Sequence, residues 1–170
     1  AAAAKPNYII SHVLATIEML IRADRVRMDD VLFFALVSMY IREGDDSCII
    51  KRRVHEVLKA AFLKLEEPND MLCSFVSMMF DSLDENNLEF SFVLLNTIKE
   101  LTTRFSNYQI DYENAKRVFL FTLIPNKSFC ELSLGIIENC VRCEDNIKTL
   151  IDAGLMDVLS RNKLRVYPSV

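Results

Sequence analysis

Cys140 and Cys143, three positions apart, form the clearest pattern of chemically active side chains in this sequence. A zinc site needs four ligands, usually two such pairs or one pair with histidines. The chain's histidines, His12 and His55, lie far upstream in segments with helical spacing, and a thioredoxin-like redox site would need a βαβ context. At helical spacing the two thiols share one face near a helix end, where small packing residues are the simplest interpretation. We therefore predict no metal and no cofactor.

Other catalytic patterns are equally weak. Three glycines cannot build a glycine-rich phosphate loop. The members of a Ser-His-Asp site are distant in a chain, so one sequence does not reveal them. The carboxylates cluster at predicted turns, where helix capping and solvation account for them: Asp29, Asp30, Asp45, Asp46, Glu66 and Glu67. We predict a protein that is not an enzyme.

Composition narrows the class further. The 170 residues are 51% hydrophobic and 26% charged, which argues against disorder. With 20 basic and 24 acidic residues the formal charge is −4, which opposes binding to duplex nucleic acid. The odd cysteine count of five and the lack of a secretory signal favour reduced thiols and an intracellular location, cytoplasmic or nuclear. No apolar run approaches the ~18 residues of a membrane span.

The elements that position these residues are predicted to be helices. Turn signals recur about every twenty residues, and apolar residues between them follow helical spacing. Ser47, Pro68–Asp70 and Asp111 are predicted to begin helices, and Pro125 to end one. The expected helices lie near 7–23, 28–42, 47–65, 69–84, 88–105, 111–124, 127–143, 145–153 and 156–163.

Helix pairs therefore recur at roughly forty residues, the period of HEAT and armadillo arrays. We predict an all-α fold, a right-handed α-solenoid of about four helix pairs, with a compact helical bundle as the alternative. The expected domain covers residues 7–165. Residues 1–6 are expected to be an artificial or disordered tail, and residues 166–170 a second tail.

Two stretches near the end of the chain, 134–141 and 146–159, resemble an armadillo repeat junction, and the match is strongest over residues 128–160. In that family a third helix is followed by a short helix, an Ala-Gly corner and another helix. Ala153 and Gly154 match the corner, where glycine supplies the left-handed conformation that turns the chain. A weaker copy of the third-helix pattern lies at 92–98, and Asn96 precedes Asn139 by 43 residues.

The resemblance implies a protein-interaction scaffold that binds a partner segment in a concave groove. In armadillo importers, a ladder of asparagines hydrogen-bonds the main chain of an extended peptide, because an amide offers both donor and acceptor. Phe92 and Gly135 stand where importers place tryptophan, and the absence of tryptophan argues against a nuclear-import receptor. The candidate partner-binding residues are Asn96, Asn139, Phe92, Arg53 and Arg104.

Three other interpretations stay open. Asn96 and Asn139 would bridge neighbouring helices inside the array instead of binding a partner. A compact Bcl-2-like adaptor would bind an amphipathic helix along the apolar stretch from Met71 to Phe80. An RNA-associated helical-repeat domain fits the helical period, although the acidity opposes it.

Overall fold

The computed structural model describes residues 4–41 and 48–164, and all regular secondary structure in these ranges is helical. The prediction of an all-α fold is confirmed for this part of the chain. The first helix begins inside the 1–6 stretch, because alanine favours helix and a proline is tolerated in a first turn; residues 166–170 lie outside the described ranges. The helices are α1 (Ala4–Arg22), α2 (Asp30–Tyr40), α3 (Ile49–Phe62), α4 (Asp70–Asp81), α5 (Leu88–Arg104), α6 (Tyr112–Phe121), α7 (Lys127–Val141), α8 (Glu144–Ala153) and α9 (Leu155–Leu164).

Short polar side chains cap the starts of most of these helices. Asp111 Oδ1 accepts a 2.8 Å hydrogen bond from the Asn114 N–H, as the sequence predicted for α6. Asn69 does the same for α4 by accepting from the Leu72 N–H at 2.9 Å. Asp29, one of the turn carboxylates for which capping was expected, caps α2. Caps that the sequence did not lead us to expect are Asn87 on α5 and Asn126 on α7. The predicted cap Ser47 lies outside the described residues.

The C-terminal ends of α8 and α6 have different causes. Gly154 adopts a positive φ of 113° and ends α8, which confirms the left-handed corner predicted from sequence. The helix predicted to reach residue 124 ends earlier, at Phe121, with the Thr122 N–H bonded to the Phe119 carbonyl at 3.1 Å. A residue that precedes proline avoids helical dihedrals, so Pro125 keeps Ile124 out of the helix. The Leu123 N–H bonds to the Leu120 carbonyl at 3.0 Å, and this tight turn ends α6 earlier still.

The chain divides into two compact units, residues 1–75 and 76–170, and the boundary between them falls inside α4. In the first unit, α3 packs against both α1 and α2. Its core includes a stacked pair, Phe62 and Phe75, with ring centroids 5.2 Å apart. His55 is fully buried beside Phe75. Burial, reinforced by the charge of Lys59, lowers the pKa of His55 from 6.5 to about 4, so the imidazole is neutral at pH 7.

In the second unit, helices pack both on the next helix but one and on their sequence neighbours. Helix α5 contacts α7 and α6 contacts α8, while α6 with α7, α7 with α8 and α8 with α9 pack as sequence neighbours. The core between them is aliphatic and aromatic, with Leu94, Ile98, Ile136 and Leu150 fully buried. This staggered packing brings α6 alongside the α8–α9 corner.

One buried asparagine fixes the start of α8 against its neighbours. Asn146, buried in the first turn of α8, accepts a 2.9 Å hydrogen bond from the Ile110 N–H. Its amide nitrogen donates to the carbonyls of Tyr108 at 2.7 Å and Cys140 at 2.9 Å. The side chain therefore ties the start of α8 to the end of α7 and to the loop that precedes α6.

Five of the ten residues in the predicted Bcl-2-like groove stretch are buried. Along α4, Leu72, Phe75, Val76, Met79 and Phe80 are all buried. The stretch from Met71 to Phe80 therefore supplies core packing. Among the residues that the structure describes, no helix is both long and apolar enough to cross a bilayer.

Replacing Asn146 by alanine should lower the free energy of unfolding by about 2–4 kcal/mol. The substitution leaves one buried N–H and two carbonyls without their amide partner. Asn107→Ala, at an exposed position in the same loop, is the matched control and should change stability by less than about 0.5 kcal/mol. Urea unfolding followed by circular dichroism measures both. Equal losses of unfolding free energy in the two variants would contradict the stabilising role of the Asn146 amide.

Acid should destabilise the protein through His55. The unfolded imidazole binds a proton below pH 6.5 while the folded one resists until about pH 4, so stability is lost as the pH falls between these values. At pH 5 the loss relative to pH 7 should be about 2 kcal/mol. His55→Leu should remove this part of the pH dependence, whereas His12→Gln, at an exposed position, should retain it. Parallel pH dependence of unfolding in wild type and His55→Leu would show that the prediction is wrong.

Candidate functional site

The structure places the amide of Asn139 inside the helix stack. Asn139, on α7, is 5% exposed. Its nitrogen donates to three oxygens of α5: the Thr103 hydroxyl at 2.8 Å, the Thr102 hydroxyl at 3.0 Å and the Lys99 carbonyl at 3.2 Å. Two N–H groups therefore serve three acceptors, and the side chain joins α7 to α5.

Asn96 lies on α5, one turn before Lys99, and its environment is different. The residue is half-buried, and its amide nitrogen donates to the carbonyl of Phe92 in the same helix at 3.2 Å. The Phe92 ring meets Phe129 of α7 edge-on, with centroids 5.3 Å apart. Asn96 and Phe92 are thus neighbours on one face of α5, and their role in partner binding stays a prediction.

The two predicted arginines are exposed but lie in different units. Arg104, at the end of α5, stacks its guanidinium 5.4 Å from the centroid of the Phe105 ring. Arg53 lies on α3 in the first unit. The second unit thus contains four of the five predicted residues, and Arg53 belongs to the other one.

Gly135, one of the two positions where the armadillo resemblance places an importer tryptophan, lies against the Lys99 side chain. A Cβ built on Gly135 would come within 2.8 Å of the Lys99 side chain, at its Cε. The end of the Lys99 side chain therefore occupies the space above Gly135. A larger residue at position 135 would displace this flexible side chain.

The two cysteines of the paired motif lie where α7 meets α8. Cys140 is buried and Cys143 half-buried. Burial, with a smaller contribution from Cys143, raises the pKa of the Cys140 thiol to about 12. Cys140 is therefore a protonated packing residue at neutral pH. Within residues 4–41 and 48–164, no group of three or more His, Cys, Asp or Glu side chains is arranged to hold a metal ion.

A groove of about 450 Å³ runs between α6 and the α8–α9 corner. Its floor is apolar and comprises Phe119, Leu120, Leu123, Ala153 and Val158, while Gly154 contributes bare backbone. Leu120 and Leu123 stay substantially solvent-exposed, although core residues of α6 beside them are fully covered. An open apolar floor of this kind suits the side chain of a binding partner.

Charged groups of both signs form the rim of this groove: Glu113, Lys116, Arg117, Asp157 and Arg161. Arg117 is held in place by Asp81 of α4 at 2.6 Å and by the Asn114 side-chain oxygen at 2.9 Å. The Lys116 ammonium lies 4.8 Å from the centroid of the Tyr112 ring. The rim can therefore orient a partner by charge as well as by shape.

A second depression of about 360 Å³ adjoins the groove on the other side of Leu120. Arg117 and Leu120 contribute to both, and the turn between α4 and α5 adds the acidic residues Asp84 and Glu85. Neither the groove nor this depression was predicted from the sequence. The one detectable signal is that Leu120 falls outside the helical stripe formed by Ala115, Val118, Phe119 and Thr122.

Comparison with known proteins returns no match to a family model, a curated protein or a solved structure. The structure alone therefore assigns the class of this chain. It is an all-α protein over the described residues, with an open apolar groove in its second unit.

The two asparagines should respond differently to truncation. Asn139→Ala should lower the free energy of unfolding by about 1–3 kcal/mol, because it removes the buried amide that joins α7 to α5. Asn96→Ala should cost less than about 1 kcal/mol, because its bond stays within one helix and is half-exposed. Chemical denaturation of both variants measures the difference. A larger loss for Asn96→Ala would contradict this assignment.

Proposed function

We propose that this chain is a non-enzymatic protein-interaction domain, an armadillo/HEAT-like α-solenoid that binds a segment of a partner protein. The observation that carries the proposal is the open apolar groove along α6, with its charged rim. The partner segment places an apolar side chain against Leu120 and Leu123. Its flanking polar groups pair with Lys116 and Asp157 on the rim.

The stacking in the second unit supports a solenoid. In repeat arrays, equivalent helices pack on one another one repeat apart along the chain. The α5–α7 and α6–α8 contacts have this form, and Asn139 of α7 bonds to Thr102 of α5, 37 residues earlier. In a compact bundle the same helices would surround one common core.

In this proposal the partner binds in the groove along α6 instead of on the surface predicted around Asn96 and Asn139. Asn139 already bonds to three oxygens of α5, so using its amide for a partner would cost contacts within the fold. Leu120, in contrast, is 46% exposed, and covering it with an apolar group is favourable. Asn96, Phe92 and Arg104 remain a second candidate surface in the same unit.

Selection from a random peptide library displayed on phage tests the groove without knowledge of the natural partner. Selected peptides should bind the wild-type chain in the micromolar range. Leu120→Asp should weaken them by about tenfold or more, because it places a charge on the apolar floor. Fluorescence anisotropy of labelled synthetic peptides measures the affinity.

Ile147→Asp is the matched control, since Ile147 is 41% exposed and lies outside both depressions. It should leave peptide affinity within about twofold of wild type. Equal weakening of peptide affinity by the two variants would indicate non-specific binding to exposed apolar side chains and would contradict the proposal. A peptide affinity that falls in Asn96→Ala and does not change in Leu120→Asp would also contradict the proposal.

A further inference from the structure

The turn between α4 and α5 borders the second depression, and it is acidic. Residues 65–98 contain no lysine, arginine or histidine, and they contain seven acidic residues: Glu66, Glu67, Asp70, Asp81, Asp84, Glu85 and Glu89. Four of these seven fall between residues 81 and 89, around the turn. Asp84 and Glu85 line the second depression, which shares Leu120 with the groove along α6. A concentration of negative charge therefore lies beside the apolar floor of the groove.

The charge of this turn is not balanced within the described part of the chain. Arg117 is the only basic residue that lines the second depression, and it already pairs with Asp81 at 2.6 Å. Asp84 and Glu85 are exposed, and neither forms an ion pair with a residue of the described ranges. The depression therefore offers two carboxylates that a cation from outside the chain can approach.

The backbone of the turn is held in place by the fold. The hydroxyl of Ser91, a buried residue of α5, accepts a hydrogen bond from the Asp84 N–H and donates one to the Asp84 carbonyl, both at 2.9 Å. Asp84 Oδ1 accepts a third bond from the Asn86 N–H at 2.9 Å. A surface that is ordered beforehand loses less conformational entropy when a partner binds.

We propose that the partner segment carries a lysine or arginine a few residues from the apolar side chain that enters the groove, and that this basic residue binds in the second depression against Asp84 and Glu85. The inference rests on the proposed function, because the apolar side chain must occupy the groove along α6. Leu120 and Arg117 line both depressions, so a short segment reaches the two together.

A basic side chain suits the second depression in both of its parts. Its aliphatic stem packs against Leu83 and Leu120, and its charged end reaches the two carboxylates. An acidic residue would meet charges of its own sign, and a neutral one would leave them unbalanced. Because exposed ion pairs contribute little affinity each, the acidic turn selects among partners more than it strengthens their binding.

Peptide selection against two forms of the chain tests the inference. Clones that the wild-type chain selects from a random phage library should share a lysine or arginine at a fixed spacing from an apolar residue. Asp84→Asn with Glu85→Gln keeps the side-chain shapes and an acceptor for the Asn86 N–H, and clones selected on this double variant should lack that preference.

Glu66→Gln with Glu67→Gln is the matched control. It removes the same two charges from another exposed turn, whose residues line neither depression. Clones selected on this control should keep the basic residue. Wild-type clones without a shared basic residue, or equal loss of the preference in the two double variants, overturn the inference.

Fluorescence anisotropy of a synthetic peptide from the wild-type selection separates this inference from the proposed function. Replacing its basic residue by glutamine should weaken binding about three- to tenfold for wild type and less than about twofold for Asp84→Asn with Glu85→Gln. Equal weakening for both chains, with affinity still sensitive to Leu120→Asp, overturns the inference and leaves the groove assignment intact. A peptide whose affinity does not respond to Leu120→Asp overturns both.

Discussion

The second unit depends on one buried amide. Asn146 joins the end of α7, the start of α8 and the loop before α6 through three hydrogen bonds, all to backbone groups. The positions that bond to it also pack in the interior, because Ile110 and Cys140 are buried and the Tyr108 ring stacks on Phe80. An amide is the one neutral side-chain group that can both accept from an N–H and donate twice to carbonyls. The groove along α6 follows from the helix positions that this joint fixes.

Much of the helical pattern was predictable because its determinants are local. The Asp111 cap and the Gly154 corner are each set within a few residues, so the sequence reveals both helix boundaries. The end of α6 was predicted at residue 124 and lies at Phe121, because the last turn tightens to hydrogen bonds three residues apart, from Thr122 to Phe119 and from Leu123 to Leu120. The packing of α5 on α7 is non-local, and the period of the sequence suggested it without determining it.

The candidate site was less predictable, for a physical reason. An asparagine has the same chemistry whether its amide faces a partner or a neighbouring helix, and only packing decides between them. Asn139 bonds to α5, which is the bridging alternative that the sequence left open. The importance of Asn146 was hidden because its partners lie at Tyr108, Ile110 and Cys140, and no local pattern links them. The groove depends on which leucines of α6 and of the turn after it stay exposed, and this too is a product of packing.

Gly154 has a consequence for recognition. A Cβ at this residue would meet no atom within 4 Å, so space is available, and the positive φ is what disfavours L side chains. At this point the wall of the groove is main chain, and its N–H and carbonyl are already bonded to Ile151 and Val158. The shape of the groove beside the corner is therefore set by a backbone conformation that L side chains disfavour. A feature of the surface is thus determined by chirality instead of by side-chain identity.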